Sequence, residues 1–369
     1  MIHIVIDDKI PYIRGVFEPH AEVRYLPAAE ITRDAVRDAD MLLVRTRTRC
    51  DAGLLEGSRC RFVGTATIGY DHIDTAWCER RGIVWHNAPG CNASSVAQYV
   101  TASLLCHAAK TGADLREKCI GIVGAGHVGS QVEAHCRRLG MRVLLNDPPR
   151  AAAEGDSDFV GLDTIARECD YITFHTPLTR EGAYPTYHLA DTVFFSGLQR
   201  RPVIINAARG EVVDSDALER AYDAGRVSDM IIDCWENEPS PRLSLVHKAF
   251  IATPHIAGYS ADGKANASRM IAAAAADFSG IGIDTSTIKP PAPPAPIIDI
   301  ESSTSKLAQA VWATYNPMAD TQALKEAPAA FESLRSHYPL RREFAAYTLS
   351  GISEADAALF QLWGFAIRK

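Results

Sequence analysis

Short runs of aliphatic and β-branched residues recur along this chain, with helical segments between them. Such alternation is typical of parallel sheets that are covered on both faces by helices. The runs span residues 2–6, 41–44, 61–64, 83–86, 120–123, 142–146, 171–174, 202–205 and 229–232. Because nine strands exceed one ordinary doubly wound sheet, we predict an α/β protein with two parallel-sheet lobes, the first four strands forming one lobe and the remainder the other.

Two segments predict the domain boundaries. Residues 93–110 have Val96, Val100, Leu104 and Ala108 at helical spacing, so we predict a helix that joins the two lobes. Residues 289–296 read Lys-Pro-Pro-Ala-Pro-Pro-Ala-Pro, which predicts a semi-rigid extended connector, because proline fixes φ and lacks an amide donor.

About 70 residues follow the connector. They contain a strand candidate at 343–349, then a helix opened by Ser353 with Asp356 three residues later. The side chains expected on one face of that helix are Ala355, Leu359 and Trp363. A unit this small is marginal alone, so we expect Phe360, Leu362, Trp363 and Phe365 to be buried on another lobe or subunit.

Composition narrows the function classes. The 369 residues carry a formal net charge of -7, which argues against a general polyanion binder and predicts no nucleic-acid partner. The nine cysteines are scattered singly, as in a reducing compartment rather than in a disulfide scaffold or zinc site, so we predict no metal site. The N-terminus lacks the pattern of a secretory signal, and the long uncharged stretch 82–109 is broken by Pro89 and Gly90. A cytoplasmic protein without a membrane partner is expected.

A glycine-rich loop predicts a dinucleotide site. Gly124, Gly126 and Gly129 follow the run 120–123 and open an amphipathic helix, and the next strand ends in Asp147. In a dinucleotide fingerprint the first glycine permits the turn, the second lets the pyrophosphate approach the helix N-terminus, and the third allows close packing. Asp147 would bind the adenosine ribose and favour NAD over NADP, an inference that nearby Arg150 weakens. The alternative is a tight turn without a ligand.

Three later segments offer the groups that oxidation of a secondary alcohol needs: a base, a group that fixes the base, and a cation for an acidic substrate. They are 206–210, 233–239 and 253–259, which contain Arg209, Glu238 and His255 in that order. At this point the sequence resembles the D-isomer-specific 2-hydroxyacid dehydrogenases. Segments 64–72, 88–93, 147–150, 174–178 and 253–264 resemble those members that oxidise 4-phospho-D-erythronate in vitamin B6 biosynthesis.

The resemblance implies a fold, a domain division and a set of roles. It implies an NAD-binding Rossmann lobe (93–256) inserted in a flavodoxin-like substrate lobe (1–92 and 257–285), plus a small α+β C-terminal domain (286–369) that makes a homodimer. Arg209 holds the substrate carboxylate, His255 takes the C2 hydroxyl proton, and Glu238 fixes the His255 tautomer. The residues expected to contact NAD are Gly124, Gly126, His127, Val128, Gly129, Asp147, Thr176, Ala207, Ala208, Arg209, Asp233 and Gly258.

The substrate contacts come from both lobes. The resemblance implies Thr46, Thr67 and Tyr259, and we add Arg45 and Arg47 as phosphate ligands, although a charged turn after a strand is also ordinary. Two alternatives stay open. One is a dehydrogenase of another D-2-hydroxyacid, such as 3-phosphoglycerate, and the other is an NAD-sensing protein-binding module, for which an intact Arg209, Glu238 and His255 would not be needed.

Overall fold

The computed structural model describes residues 1–155, 158–300 and 305–368. The chain divides into two compact units, one made of Met1–Asn92 and Ala261–Pro291 and the other of Ala93–Ser260 and Ala292–Lys369. The C-terminal segment therefore belongs to the same compact unit as the glycine-rich loop. The division into three domains stays a prediction.

The first unit contains a parallel sheet in the order β2-β1-β3-β4-β5, the flavodoxin-like arrangement. Its strands are β1 (Ile2–Asp7), β2 (Ala21–Leu26), β3 (Met41–Val44), β4 (Phe62–Thr65) and β5 (Val84–His86). Its helices are α1 (Arg33–Val36), α2 (Ala52–Leu55), α3 (Thr75–Arg80) and, after the chain returns, α11 (Ala261–Ser279). Sequence analysis missed β2, an edge strand whose charged Glu22 and Arg24 alternate with partly buried side chains.

The second unit contains a six-stranded parallel sheet in the order β11-β10-β9-β8-β6-β7. Its strands are β6 (Cys119–Val123), β7 (Arg142–Asn146), β8 (Tyr171–Phe174), β9 (Val203–Asn206), β10 (Asp229–Ile232) and β11 (Ile251–Ala252). The helices are α4 (Ala93–Thr111), α5 (His127–Arg138), α6 (Pro148–Glu154), α7 (Leu162–Glu168), α8 (Thr192–Ser196), α9 (Ser215–Asp223) and α10 (Leu243–Lys248). A parallel bridge from Leu145 to Phe159 extends the sheet beyond β7, so the order matches a dinucleotide-binding sheet with one strand reduced to a bridge.

The C-terminal segment adds a small parallel sheet in the order β12-β13-β14 with helices around it. The strands are β12 (Ile297–Asp299), β13 (Thr348–Ser350) and β14 (Ala366–Ile367). The helices are α12 (Lys306–Thr314), α13 (Pro317–Glu326), α14 (Phe331–Ser336) and α15 (Glu354–Leu362). Ser353 caps α15 by accepting a hydrogen bond from the Asp356 amide, as its sequence predicts.

One expectation for this segment was wrong. A strand was predicted at 343–349, but Phe344–Ala346 forms a single 3-10 turn and the strand begins at Thr348. The Phe344 ring in this turn is buried in the core. Leu359, expected on the same face of α15 as Ala355 and Trp363, is 43% exposed, whereas Trp363 is buried.

The aromatic residues near the C-terminus are buried within the same chain. Phe344, Phe360, Trp363 and Phe365 join one core cluster with residues of α4 and α5. Leu362 stays 62% exposed. The C-terminal segment is therefore anchored on the dinucleotide-binding part of its own subunit.

His135 lies at the centre of this anchor. Its ring stacks on Phe344 with centroids 6.0 Å apart and meets the Trp363 ring edge-on at 5.0 Å. Thr101 Oγ1 gives its only proton to the Ala97 carbonyl, so His135 Nδ1 must donate to that hydroxyl oxygen. Burial, and next the charge of Arg138, lowers the pKa of His135 to about 4.

This shift predicts a pH-dependent stability. The pKa of such a histidine is lower in the folded state than in the unfolded state. The folded state therefore has its full stability above the unfolded-state pKa and loses stability as the pH falls from the unfolded-state pKa to the folded-state pKa. When the pH is lowered from about 7.5 to 5.5, buried His135 should therefore reduce the free energy of unfolding by about 1 kcal/mol. The melting temperature should fall by about 2–4 °C as a result. Melting curves at the two pH values should show a larger decline for the wild type than for His135→Gln. The exposed His247→Gln is the control, and equal declines in wild type and His135→Gln would contradict the assignment.

Among the described residues, no helix combines the length and apolar character needed to cross a membrane.

Candidate active site

The glycine-rich loop joins β6 to α5 with the geometry of a pyrophosphate cradle. Gly124 has φ +91°, and a Cβ there would lie 2.8 Å from the His175 backbone carbon. A Cβ on Gly129 would lie 2.0 Å from the Gly124 carbonyl oxygen. A Cβ on Gly126 would meet nothing within 4 Å, which leaves open space above the first turn of α5. Gly124 and Gly129 therefore have the structural roles expected of them, and Gly126 lies where a ligand has room.

Asp147 fastens this loop to the end of β7. Its Oδ2 accepts a hydrogen bond of 2.8 Å from the Ala125 amide, and its Oδ1 accepts one of 3.1 Å from the Arg150 amide. The Arg150 guanidinium donates to the Ala125 carbonyl at 2.6 Å and forms an ion pair with Glu154. Because Glu154 balances the charge of Arg150, Arg150 attracts the 2′-phosphate of NADP less than an unpaired arginine would.

The neighbouring side chains fit a dinucleotide. Thr176 Oγ1 is buried and has no hydrogen-bond partner among the residues that the structure describes. A buried polar atom without a partner is unfavourable unless a ligand or water satisfies it. His127 is exposed and Val128 is partly buried on the first turn of α5, so both side chains are accessible. The residues present thus fit NAD at this loop.

Asn206, at the end of β9, shapes the loop that carries Arg209. Its amide nitrogen donates to the Arg209 carbonyl at 3.0 Å and to the Cys234 carbonyl at 3.2 Å. Its Oδ1 accepts from the Ala208 amide at 3.2 Å. The Arg209 side chain is exposed beyond these contacts, with Nη1 donating to the Ala208 carbonyl. Sequence analysis gave Asn206 no role, although a polar residue at a strand end beside a loop was the available signal.

Glu238 and His255 form a hydrogen-bonded pair. His255 Nδ1 lies 2.7 Å from Glu238 Oε2, and Glu238 Oε1 accepts from the Trp235 amide at 2.9 Å. Burial acts to raise the pKa of Glu238, but the hydrogen bond and charge of His255, with smaller effects from Trp235 and Arg335, bring that pKa below its ordinary value. An ionised Glu238 holds the proton of a neutral imidazole on Nδ1, which leaves Nε2 with a lone pair.

Asp233 orders the loop on which His255 lies. Its Oδ1 accepts from Thr253 Oγ1 at 2.6 Å and from the Ile256 amide at 2.8 Å, and its Oδ2 accepts from the Ala257 amide at 2.9 Å. Since Thr253 donates to Asp233, the Tyr99 hydroxyl must donate to Thr253 Oγ1, 2.9 Å away. Burial raises the pKa of Asp233, against the charge of His255. This internal role was not anticipated, and the NAD contact of Asp233 stays a prediction.

Cys234 lies beside the pair. Ligand atoms of Cys234, Glu238 and His255 all lie within 4.8 Å of one another, a spacing that a metal ion could use. Burial, and then the charge of Asp233, raises the pKa of the Cys234 thiol, and the thiol donates to the Ala208 carbonyl. A thiol held protonated in this way is a poor metal ligand.

The remaining expected residues lie in two places. Ala207 and Gly258 are partly buried in the second unit and Ala208 is buried there. Tyr259, also in the second unit, accepts a hydrogen bond of 2.8 Å from Arg335 Nε. Arg335 was not among the residues predicted from the sequence.

Four of the expected substrate residues, Arg45, Thr46, Arg47 and Thr67, belong to the first unit, and Arg47 is exposed there. Arg45 Nε lies 3.8 Å from Asp7 Oδ2, and neither buried atom has a hydrogen-bond partner among the described residues. Thr46 is exposed in the turn after β3. Thr67 Oγ1 donates to the Gly69 carbonyl, so the Thr65 hydroxyl must be the donor to Thr67. An unsatisfied guanidinium nitrogen at Arg45 is compatible with an anionic ligand.

Comparison with known proteins gives two family matches. The model for the D-isomer specific 2-hydroxyacid dehydrogenase NAD binding domain matches residues 92–257. A model for a domain of unknown function, DUF3410, matches residues 291–364.

Two relatives that match nearly the whole chain carry the same name. The erythronate-4-phosphate dehydrogenase of Bacteroides thetaiotaomicron is 51% identical over 350 residues, covering 95% of this chain and 99% of the relative. The protein of that name from Porphyromonas gingivalis is 43% identical, covering 97% and 98%.

Solved structures agree on the fold. A D-lactate dehydrogenase from Aquifex aeolicus, complexed with NAD and lactic acid, matches with a TM-score of 0.58 at 23% identity, covering 75% of this chain and 96% of that one. An NAD-bound 3-phosphoglycerate dehydrogenase from Entamoeba histolytica matches with a TM-score of 0.60 at 25% identity, covering 76% and 95%.

Proposed function

Because this chain belongs to the erythronate-4-phosphate dehydrogenase family within the D-isomer-specific 2-hydroxyacid dehydrogenases, we propose that it oxidises 4-phospho-D-erythronate to (R)-3-hydroxy-2-oxo-4-phosphobutanoate in vitamin B6 biosynthesis. It is an NAD-dependent dehydrogenase. The observation that carries the proposal is the hydrogen bond of 2.7 Å between Glu238 and His255. The chain also matches erythronate-4-phosphate dehydrogenases over nearly its whole length.

The cofactor has a defined place in the proposal. NAD, when bound, would supply the acceptor for the hydride that leaves C2 of the substrate. We assign its contacts to the glycine-rich loop, Asp147, Thr176, Asp233 and Gly258, together with residues 207–209. The orphaned Thr176 hydroxyl and the open space above Gly126 support this assignment.

The protein side chains handle the proton and the charge. His255 Nε2 takes the proton of the C2 hydroxyl while the C2–H electron pair leaves with the hydride, and the C2–O bond becomes a carbonyl. The resulting imidazolium is stabilised by ionised Glu238. Arg209 holds the substrate carboxylate, and its planar fork can also polarise the C2 oxygen.

The substrate phosphate is assigned to Arg45, with Thr46, Thr67 and Tyr259 as further substrate contacts. What supports Arg45 is its buried Nε, which lacks a hydrogen-bond partner among the described residues. Steady-state kinetics with 4-phospho-D-erythronate, D-erythronate and 3-phosphoglycerate test the assignment. We expect the highest kcat/KM for 4-phospho-D-erythronate and a large loss without its phosphate. Turnover of 3-phosphoglycerate with none of 4-phospho-D-erythronate would overturn the substrate assignment and leave the dehydrogenase chemistry intact.

We also propose a cytoplasmic homodimer that associates through the C-terminal segment. All nine cysteines are buried thiols, which is compatible with a reducing compartment. Leu359 and Leu362 expose 43% and 62% of their area on α15, which supports a protein contact there. Sedimentation velocity of the full chain separates a dimer from a monomer by mass.

A further inference from the structure

The C-terminal segment contacts the loop that carries His255. Arg341, only 4% exposed, donates to the Ile256 carbonyl at 3.2 Å and to the Ser95 carbonyl at 3.3 Å. Glu343 accepts from Ser260 Oγ at 2.6 Å and from Ser94 Oγ at 2.6 Å. Residues 341–343 therefore fix the backbone on the C-terminal side of His255.

Arg335, on α14, reaches the functional side chains themselves. Its Nε donates to the Tyr259 hydroxyl oxygen at 2.8 Å, and its Nη1 lies 3.9 Å from Glu238 Oε2. That carboxylate oxygen is the one that accepts from His255. The Arg335 side chain is 30% exposed and Glu238 is 19% exposed, so the charge of Arg335 acts at a partly desolvated position.

We propose that Arg335 is a positioning residue for the oxidation of the 2-hydroxyacid, an inference that rests on the proposed function. Arg335 holds Tyr259 and Glu238 in the arrangement that the reaction needs. The segment matching a domain of unknown function thereby contributes to the site as well as to the fold.

The direction of the Arg335–Tyr259 hydrogen bond carries the argument. A guanidinium can only donate, so the Tyr259 oxygen is the acceptor and the Tyr259 O–H proton is not used in this hydrogen bond. Donation from a cation to a phenol oxygen also makes the O–H a stronger donor. Such a hydroxyl is well suited to donate a hydrogen bond to an anionic oxygen of the substrate. Arg335 acts on the substrate through Tyr259 and is not assigned a direct contact.

Kinetics of a double-mutant cycle test this role. The variants are Arg335→Met, Tyr259→Phe and the double variant. The control is Arg368→Met, because Arg368 is an exposed arginine elsewhere in the C-terminal segment. We expect Arg335→Met and Tyr259→Phe each to lower kcat/KM for the acid about 10- to 100-fold, mainly through KM, because each removes the same charge-assisted hydrogen bond. The double variant should be no more than about twofold worse than Tyr259→Phe, because Arg335 acts on the substrate through Tyr259. KM for NAD should stay unchanged, and Arg368→Met should match the wild type.

Arg335→Lys retains the charge and should recover part of the loss. If Arg335→Met does not fold, Arg335→Lys with and without Tyr259→Phe makes the same comparison. Wild-type kinetics in Arg335→Met, or losses that multiply in the double variant, would overturn the positioning role. Failure of the wild type to oxidise any 2-hydroxyacid would instead overturn the proposed function on which it rests.

Discussion

Replacement of His255 by asparagine is expected to lower kcat about 10²- to 10⁴-fold, the range for loss of a general base. Asparagine keeps a hydrogen bond to Glu238 but has no titratable nitrogen to take the C2 hydroxyl proton. Binding of NAD should be nearly unchanged, because the cofactor is assigned to the glycine-rich loop. Steady-state rates and NAD titration by fluorescence measure the two effects separately.

His247 provides the matched control. It is exposed on α10, and His247→Asn should retain full activity. If His255→Asn were fully active, His255 would not be the base. If it lost NAD binding together with activity, the loss would have to be assigned to the structure of the loop.

Arg209→Lys is the second large effect, with an expected loss of about 10²- to 10³-fold in kcat/KM, similar to removal of a donor that stabilises developing charge. Lysine retains the positive charge but cannot make two parallel hydrogen bonds to a carboxylate. The loop itself should persist, because Asn206 contacts the Arg209 carbonyl and the Ala208 amide rather than the guanidinium. Circular dichroism and NAD affinity check that persistence.

A matched control is Arg226→Lys, at an exposed arginine whose Nη1 donates to the Ser196 carbonyl outside the proposed site. It should retain wild-type kinetics. An Arg209→Lys enzyme with wild-type kcat/KM for the acid would show that carboxylate recognition lies elsewhere.

The central strands could be predicted from sequence because they are buried on both sides. β3, β8 and β10 are buried along their whole length, and they begin and end at the predicted residues. The edge strand β2 alternates charged and apolar residues, so it lacked that signal. Residues 343–349 contain apolar side chains suited to a strand, but tertiary packing of Phe344 favours a 3-10 turn.

The candidate site was predictable where its residues follow consecutive strands. Segments 206–210 and 233–239 come directly after β9 and β10, and parallel strands bring their carboxyl ends to one edge. Arg335 was not predictable, because it lies 76 residues from Tyr259 in the chain and no local pattern marks the contact. The internal role of Asp233 depends on a bent loop with His255 at φ 57°, which sequence spacing does not indicate.

Hydride transfer from C2 of the substrate can be followed with deuterium. The protein is incubated with NAD and 4-phospho-D-erythronate that carries deuterium at C2, and the NADH formed is examined by mass spectrometry. We expect one deuterium in each NADH and one molecule of the 2-oxo acid for each NADH. Absence of NADH formation, or NADH without deuterium, would contradict direct hydride transfer from C2 of this substrate.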